Sequence, residues 1–359
     1  MNIYYYAYNM YQFSYSKSLY EKAGGQYIVG GNYAVKRLDR YARFKWFFRQ
    51  MNAHGSRRGV LNTPPVISRD VSKPQDLEGV IFSHSNAHIH TDPARCPRVF
   101  IGHGTGDKPY GGNRTGAENF LNYDYIFLSG PKHLERLKDS GIEIPEERLV
   151  KIGNMRFDQV VNGDVPRAAI LDRLGVVDRS RKNVLYAPTW RFGNGTFKKY
   201  VHRFAREITR DYNLIVRPHF HDAKHIPKVK FWAKREGIEH LYFSNPSDLR
   251  RCDTMDDFVA ADIMVSDTSS VLYEYLITGN PIIVVNAQYK KLHHMPDAMN
   301  IMTLADVFQE EDDIVQMIAD NLASDRKRAQ YRQMLETCFY FNDGQSTQRA
   351  MDFIASLKA

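Results

Sequence analysis

The chain alternates short apolar runs with amphipathic stretches, and that alternation organises everything else in it. Ile3 to Tyr8, Gln26 to Val29, Val80 to Ser83, Val99 to Gly102, Tyr125 to Leu128 and Leu149 to Ile152 read as buried strands. Between them, Ser16 to Ala23 and PKHLERLKDSG have helical spacing. From Val160 to Asn183 the pattern gives way to a polar stretch around one short helix, VPRAAILDRLG, and then it resumes. NVLYAP, NLIV and HLYF are strands, separated by helices over Lys198 to Thr209 and around Val229 to Gly237. ADIMV, SDTSSVLYEYL and IIVV then form a strand, a polar turn with a helix, and a strand, punctuated by Gly279-Asn280-Pro281. The tail from Glu311 to Leu357 reads as helices.

Strands alternating with helices predict parallel, doubly wound sheets, and the break in the middle predicts two of them. The expectation is an α/β chain of two Rossmann-like domains facing across a cleft. An N-terminal domain is expected over 1–165, a second domain over 166–335, and a C-terminal helix in 336–359 that packs back toward the first domain. At 359 residues the chain is long enough for two cores.

In such folds ligands bind at the carboxyl ends of the strands. Four polar motifs fall there: IGHGTGDK (101–108), YAPTWR (186–191), VRPHFH (216–221) and SDTSS (266–270). In the first, glycines flank His103, an imidazole suited to general-base work, and Lys108 adds a point charge. The second offers Thr189 as a donor and Arg191 as a fork for phosphate oxygens. In the third, period-two alternation places Arg217, His219 and His221 on one side. The fourth puts Asp267, Thr268, Ser269 and Ser270 at a helix start that one capping residue would satisfy, leaving donors over for an anion. Glu274, one turn further in, is within reach of ribose hydroxyls. Each motif also has a plainer reading as a turn or a cap.

Composition narrows the partners. Forty-nine basic residues against 41 acidic give a net charge of +8, which favours an anionic partner. Three cysteines far apart provide neither a disulfide framework nor a CxxC pair, so a reducing, cytoplasmic setting is expected. His84, His88 and His90 of SHSNAHIH, with His219 and His221, are of a metal-ligating type, but no carboxylate or cysteine spacing completes a set; no metal and no cofactor is expected. The segment 36–58 carries eight Lys or Arg against one Asp, interleaved with aromatics. Arg37, Arg40, Arg43, Trp46, Phe47 and Arg49 there suit a helix lying on an anionic membrane, against the plainer reading of a sheet-covering helix with a solvated basic face.

Taken together, HGTGDK, YAPTWR, the Arg/His strand end and SDTSS resemble the CDP-glycerol glycerophosphotransferase family of teichoic acid and capsule synthesis. That resemblance spans about residues 100 to 290. It implies a GT-B fold and an enzyme at the cytoplasmic face of the membrane. It further implies attack of an acceptor hydroxyl on the β-phosphorus of a CDP-activated alcohol, with CMP leaving and a lipid-linked or glycan acceptor. By the same resemblance His103 is the general base, and His219, with Ser269 and Ser270, holds the pyrophosphate. The chain departs from the family pattern at Gly106-Asp107, Thr268 and Pro218, which leaves CDP-glycerol and CDP-ribitol both open as donors. A UDP-sugar enzyme of the same fold, a glycosyltransferase or UDP-N-acetylglucosamine 2-epimerase, is the competing reading. A non-catalytic module binding membrane or nucleic acid is a third, and no nucleic-acid partner is expected, because the basic, aromatic run sits on a helix instead of an open sheet.

Overall fold

The computed structural model describes residues 1–8, 10–30, 66–107, 110, 114–164, 166–190, 195–246, 253–267, 269–287 and 295–357. It divides into two compact units. The first comprises Met1–His103, Lys108–Val161 and Phe339–Ala359, and the second Gly104–Asp107 and Asn162–Cys338.

Among the described residues, the sheet of the first unit has seven parallel strands: β1 (Ile3–Ala7), β2 (Gln26–Val29), β3 (Val66–Ser68), β4 (Val80–Ser83), β5 (Arg98–Phe100), β6 (Tyr125–Leu128) and β7 (Leu149–Lys151). Their order is β3-β2-β1-β4-β5-β6-β7. Both faces are covered, which is why the strands are apolar throughout instead of alternating with polar residues. Period two still shows in what each side chain meets. Tyr5 and Ala7 of β1 join Tyr27, Phe82 and Phe127 on one face, packed by Leu19 and Tyr20 and by Ala350 and Ile354 of the helix Ser346–Ser356. Tyr4 and Tyr6 join Ile28, Ile81, Phe100 and Leu128 on the other. The C-terminal helix is fixed further by Asp158, whose carboxylate accepts from the backbone of Ser346 and Thr347 at 3.1 and 2.7 Å.

Among the described residues, six parallel strands build the sheet of the second unit: β8 (Asn183–Tyr186), β9 (Asn213–Val216), β10 (Leu241–Phe243), β11 (Ile263–Ser266), β12 (Ile282–Val285) and β13 (Asp306–Phe308). Their order is β10-β9-β8-β11-β12-β13. One face is packed by Phe197, Tyr200, Val201, Phe204 and Ile208 of the helix Phe197–Ile208, spaced three and four apart as an amphipathic helix requires, together with Val229, Ile314 and Ile318 of two further helices.

The strand order reverses between β1 and β4 in the first sheet and between β8 and β11 in the second. At such a switch point the connections leave in opposite directions and open a crevice at the carboxyl ends. YAPTWR follows β8 and SDTSS follows β11, so these two motifs flank the second switch point. His84 directly follows β4 at the first, and the segment after β5 carries His103.

Candidate active site

In the first unit the site is built around His103. Its Nδ1 lies against the carbonyl oxygen of His84. A carbonyl only accepts, so the Nδ1 proton is donated there and the neutral ring keeps its lone pair on Nε2. No described residue hydrogen-bonds that nitrogen. The Tyr15 ring meets the imidazole edge-on at 6.4 Å, and the Arg156 guanidinium lies over Tyr15 at 4.4 Å. The side chain keeps a solvent-exposed face. Even so, the protein packed around the ring, with Arg136 nearby, pulls its pKa below the usual imidazole value, offset in part by the bond to His84. His103 is thus neutral near pH 7, with the nitrogen a base requires.

The chain then passes to the second unit, where Gly104–Asp107 packs on the start of SDTSS. A Cβ on Gly106 would stand 3.2 Å from both the Cα and the nitrogen of Ser270, so a glycine permits this approach. Tyr273 donates to Asp107 Oδ2 at 2.9 Å and accepts from the backbone of Ile301 at 3.2 Å, which fixes the segment from its far end. Two motifs more than 150 residues apart thereby meet.

SDTSS is also laced to YAPTWR. Ala187 N bonds Val265 O at 3.0 Å, and Ser266 Oγ donates to Ala187 O at 2.6 Å. Asp267 accepts from Thr189 N at 2.7 Å through Oδ1, and from both Thr196 N and Thr196 Oγ1 at 2.9 Å through Oδ2. The expectation that Asp267 faces a ligand or caps the helix is corrected. It is fully buried and closes the loop 189–196 at both ends. Closure also depends on Gly195, where a Cβ would come within 2.0 Å of Thr189 O. Thr189 is buried, and its backbone nitrogen is spent on Asp267.

That loop presents Trp190 to two histidines. Its ring stacks on His219 at 5.8 Å and 20°, and lies 4.7 Å from His221. His219 Nδ1 accepts from His221 N at 3.2 Å, which puts the proton of the neutral ring on Nε2, a donor suited to a phosphate oxygen. Trp190 was not singled out from the sequence, although an aromatic directly after YAPT was the available signal.

Arg217 departs from the expectation that it shares a side with the histidines. Regular strand geometry ends at Val216, and a turn closed by Asp222 N and Ala223 N on His219 O follows. Period two therefore does not carry across. Arg217 instead bonds Asp257 at 2.7 Å and Ser244 Oγ at 2.9 Å. Burial pushes the Asp257 carboxyl up to about 6 against the pull of Arg217.

The helix after SDTSS is a single α-turn, Val271–Glu274, continued as 3-10 geometry to Thr278 and ended by Gly279 in the left-handed region. Its N-cap Ser270 makes no side-chain cap bond, and Ser269 and Ser270 are partly exposed. Glu274 is fully enclosed, so the position expected to meet a ribose is inside the unit in this conformation. Lys108, Arg191 and Thr268 lie outside the described residues, as do Arg37, Arg40, Arg43, Trp46, Phe47 and Arg49. Among the described residues no helix is long and apolar enough to cross a membrane.

A model of the family described as CDP-glycerol:poly(glycerophosphate) glycerophosphotransferase matches residues 67–356. The teichoic acid poly(glycerol phosphate) polymerase of Bacillus subtilis (strain 168) is 27% identical over 190 residues, 50% of this chain and 24% of that protein. The teichoic acid glycerol-phosphate primase of the same strain is 26% identical over 172 residues, 46% of this chain and 40% of that protein. The teichoic acid ribitol-phosphate polymerase TarK of Staphylococcus aureus (strain NCTC 8325 / PS 47) is 28% identical over 194 residues, 49% of this chain and 36% of that protein. This chain thus spans two fifths or less of the length of these relatives. Among solved structures, the wall teichoic acid polymerase TagF is similar with a TM-score of 0.64 at 18% identity, covering 99% of this chain and 88% of that one. A putative UDP-N-acetylglucosamine 2-epimerase from Listeria monocytogenes reaches 0.59 at 14% identity, covering 99% and 96%. At these identities the structural likeness establishes the fold, which is the α/β, GT-B-like one.

Proposed function

The chain belongs to the CDP-glycerol:poly(glycerophosphate) glycerophosphotransferase family, and from that premise we propose that it is a polyol-phosphate transferase. It moves glycerol phosphate, or a related polyol phosphate, from a CDP-activated alcohol to a hydroxyl of a lipid-linked or glycan acceptor. The acceptor oxygen attacks the β-phosphorus as its proton passes to Nε2 of His103. The bond from that phosphorus to the bridging oxygen breaks, and the electron pair leaves with CMP. Phosphoryl chemistry of this kind needs positioning and charge stabilisation more than covalent help. His219, through Nε2–H, and the hydroxyls of Ser269 and Ser270 supply donors for the pyrophosphate. Lys108 and Arg191 add positive charge to the same role, and Thr268 adds a hydroxyl.

The observation that carries this reading is the tautomer of His103, held by the His84 carbonyl with Nε2 as the lone-pair nitrogen. The UDP-sugar alternative draws on likeness of fold alone. We place the enzyme at the inner face of the membrane, held there as a peripheral protein by the basic, aromatic segment 36–58.

The test is CMP release from CDP-glycerol and CDP-ribitol with a lipid-linked acceptor. His103→Ala should lower turnover by roughly 100-fold or more while CMP affinity changes little. Turnover at the wild-type rate in that variant would remove His103 from the mechanism.

A further inference from the structure

Buried at the carboxyl end of β4 is a second histidine that the proposed chemistry does not use. His84 is fully enclosed, and its ring makes two hydrogen bonds. Nδ1 lies 3.1 Å from the carbonyl of Gly102, and Nε2 lies 2.9 Å from Ser16 Oγ. A carbonyl oxygen can only accept, so Nδ1 carries the proton and Ser16 donates its hydroxyl to Nε2. The backbone carbonyl of the same residue takes the Nδ1 proton of His103. His84 therefore grips His103 twice, its main chain holding the imidazole and its ring holding the peptide just before it. The nitrogen of Gly102 donates to Ser83 O at 3.2 Å, and the His84 ring holds the other end of the same residue at its carbonyl. Gly102 sits at φ +67, in the left-handed region, where nothing in its own side chain anchors the turn.

We propose that His84 is a positioning residue for His103, fixing the tautomer and direction of that ring through Gly102 with Ser16 as its own anchor. The inference rests on the reading of His103 as the proton acceptor. His84 is suited to the task because it does not change charge. Burial, with His103 nearby, lowers its pKa to about 3 against the bond to Gly102, so its donor and acceptor nitrogens stay the same across the working range. The other groups facing His103 are Arg136 from the helix Pro131–Asp139 and Tyr15 with Arg156 over its ring. Among the described residues, His84 Nδ1 is the group that bonds Gly102 O.

Two substitutions separate the halves of the hold. In His84→Asn the amide nitrogen stands near the place of Nδ1 and keeps a donor for Gly102, whereas His84→Phe keeps ring volume and loses both bonds. The full chain, with histidine labelled at the ring carbons, is titrated by NMR, and His103 is assigned from the signal missing in His103→Gln. In the wild type the His103 ring should carry its proton on Nδ1 and titrate below the ordinary value of about 6.5. In His84→Phe the tautomers should mix and the titration should move further down, because the bond to residue 84 that raises it is weakened. Turnover of CDP-glycerol should fall roughly 10- to 100-fold with KM for the donor within about threefold, because an imidazole displaced by an ångström loses rate more than binding. His84→Asn should restore most of the rate. Ser16→Ala, a milder change, should shift both readouts in the same direction and less far.

A folded His84→Phe whose His103 tautomer, titration and turnover match the wild type would overturn the proposal, and so would a His84→Asn that loses as much rate as His84→Phe. If the wild type turned over no CDP-alcohol at all, the functional reading would fail, and the NMR titration would still decide whether His84 positions His103.

Discussion

Two histidines of the first unit are held neutral by burial, and that sets how the protein responds to acid. His84 and His133 each have a pKa lowered to about 3. An unfolded chain takes up protons near pH 6.5 that these two sites in the fold refuse, so the unfolded state gains as pH falls. Stability is full above about pH 6.5. Below it, each of these histidines costs about 1.4 kcal/mol per pH unit until pH approaches 3. His133 packs beside Tyr110 and Phe100, and its Nε2 has no hydrogen-bond partner, so it adds titration without a bond to lose. His133→Phe should therefore flatten the acid side of a plot of urea-unfolding free energy against pH, measured between pH 7 and pH 4. An unchanged slope would mean that His133 titrates normally in the fold. On the proposed reading of His103 as the base, the corresponding signature is in activity: protonation of His103 should stop catalysis, so the acid limb of kcat should lie below the ordinary imidazole pKa.

At the scale of elements, the loop 189–196 depends on one carboxylate from a neighbouring strand end. Asp267→Ala would leave the backbone nitrogens of Thr189 and Thr196 buried without acceptors, at a cost of at least about 3 kcal/mol to the second unit. Trp190 should loosen with the loop, which a red shift of tryptophan emission would report. Asp267→Ala with wild-type stability and emission would show that the loop holds itself. Most of the elements themselves were legible in the chain. Gln26–Val29, Val80–Ser83, Tyr125–Leu128, Asn213–Val216 and Ile282–Val285 follow the apolar runs because buried parallel strands leave little room for other residues. What could not be read was the direction of polar side chains once a strand ends. Arg217, Asp267 and Glu274 all lie in motifs that suit a ligand, and all three turn inward. Their partners, Asp257 and Ser244 for Arg217 and Thr196 for Asp267, are set by the tertiary fold and not by spacing. His84 was visible in the sequence only as a possible ligand in a histidine-rich run. Its real neighbours come from other elements, Ser16 from the turn before the helix Lys17–Ala23 and Gly102 from the segment after β5.

At the scale of the whole chain, the first unit is completed by residues from both ends of the sequence. Phe353 meets Tyr125 and Phe127 edge-on at 4.9 and 5.1 Å, so truncation after Cys338 would uncover one face of the first sheet. Such a truncation should lower the melting of the first unit and leave the second unit's transition in place. A single unchanged transition in calorimetry would contradict this division. The surplus of positive charge bears on location. Replacing Arg37, Arg40, Arg43 and Arg49 with Gln should weaken sedimentation with anionic vesicles, most clearly at low salt, without altering affinity for soluble nucleotide. Vesicle binding that survives those four changes would exclude this segment as the anchor.

The central claim is that the second unit binds a cytidine diphosphate alcohol, and calorimetric titration tests it most directly. CMP, CDP-glycerol, CDP-ribitol, UDP and UDP-N-acetylglucosamine are added in turn to the purified protein at one fixed salt concentration. The account predicts saturable binding of the cytidine nucleotides, with a preference between the two CDP-alcohols and little heat from the uridine compounds. Binding of UDP or UDP-N-acetylglucosamine in place of the cytidine series would contradict it.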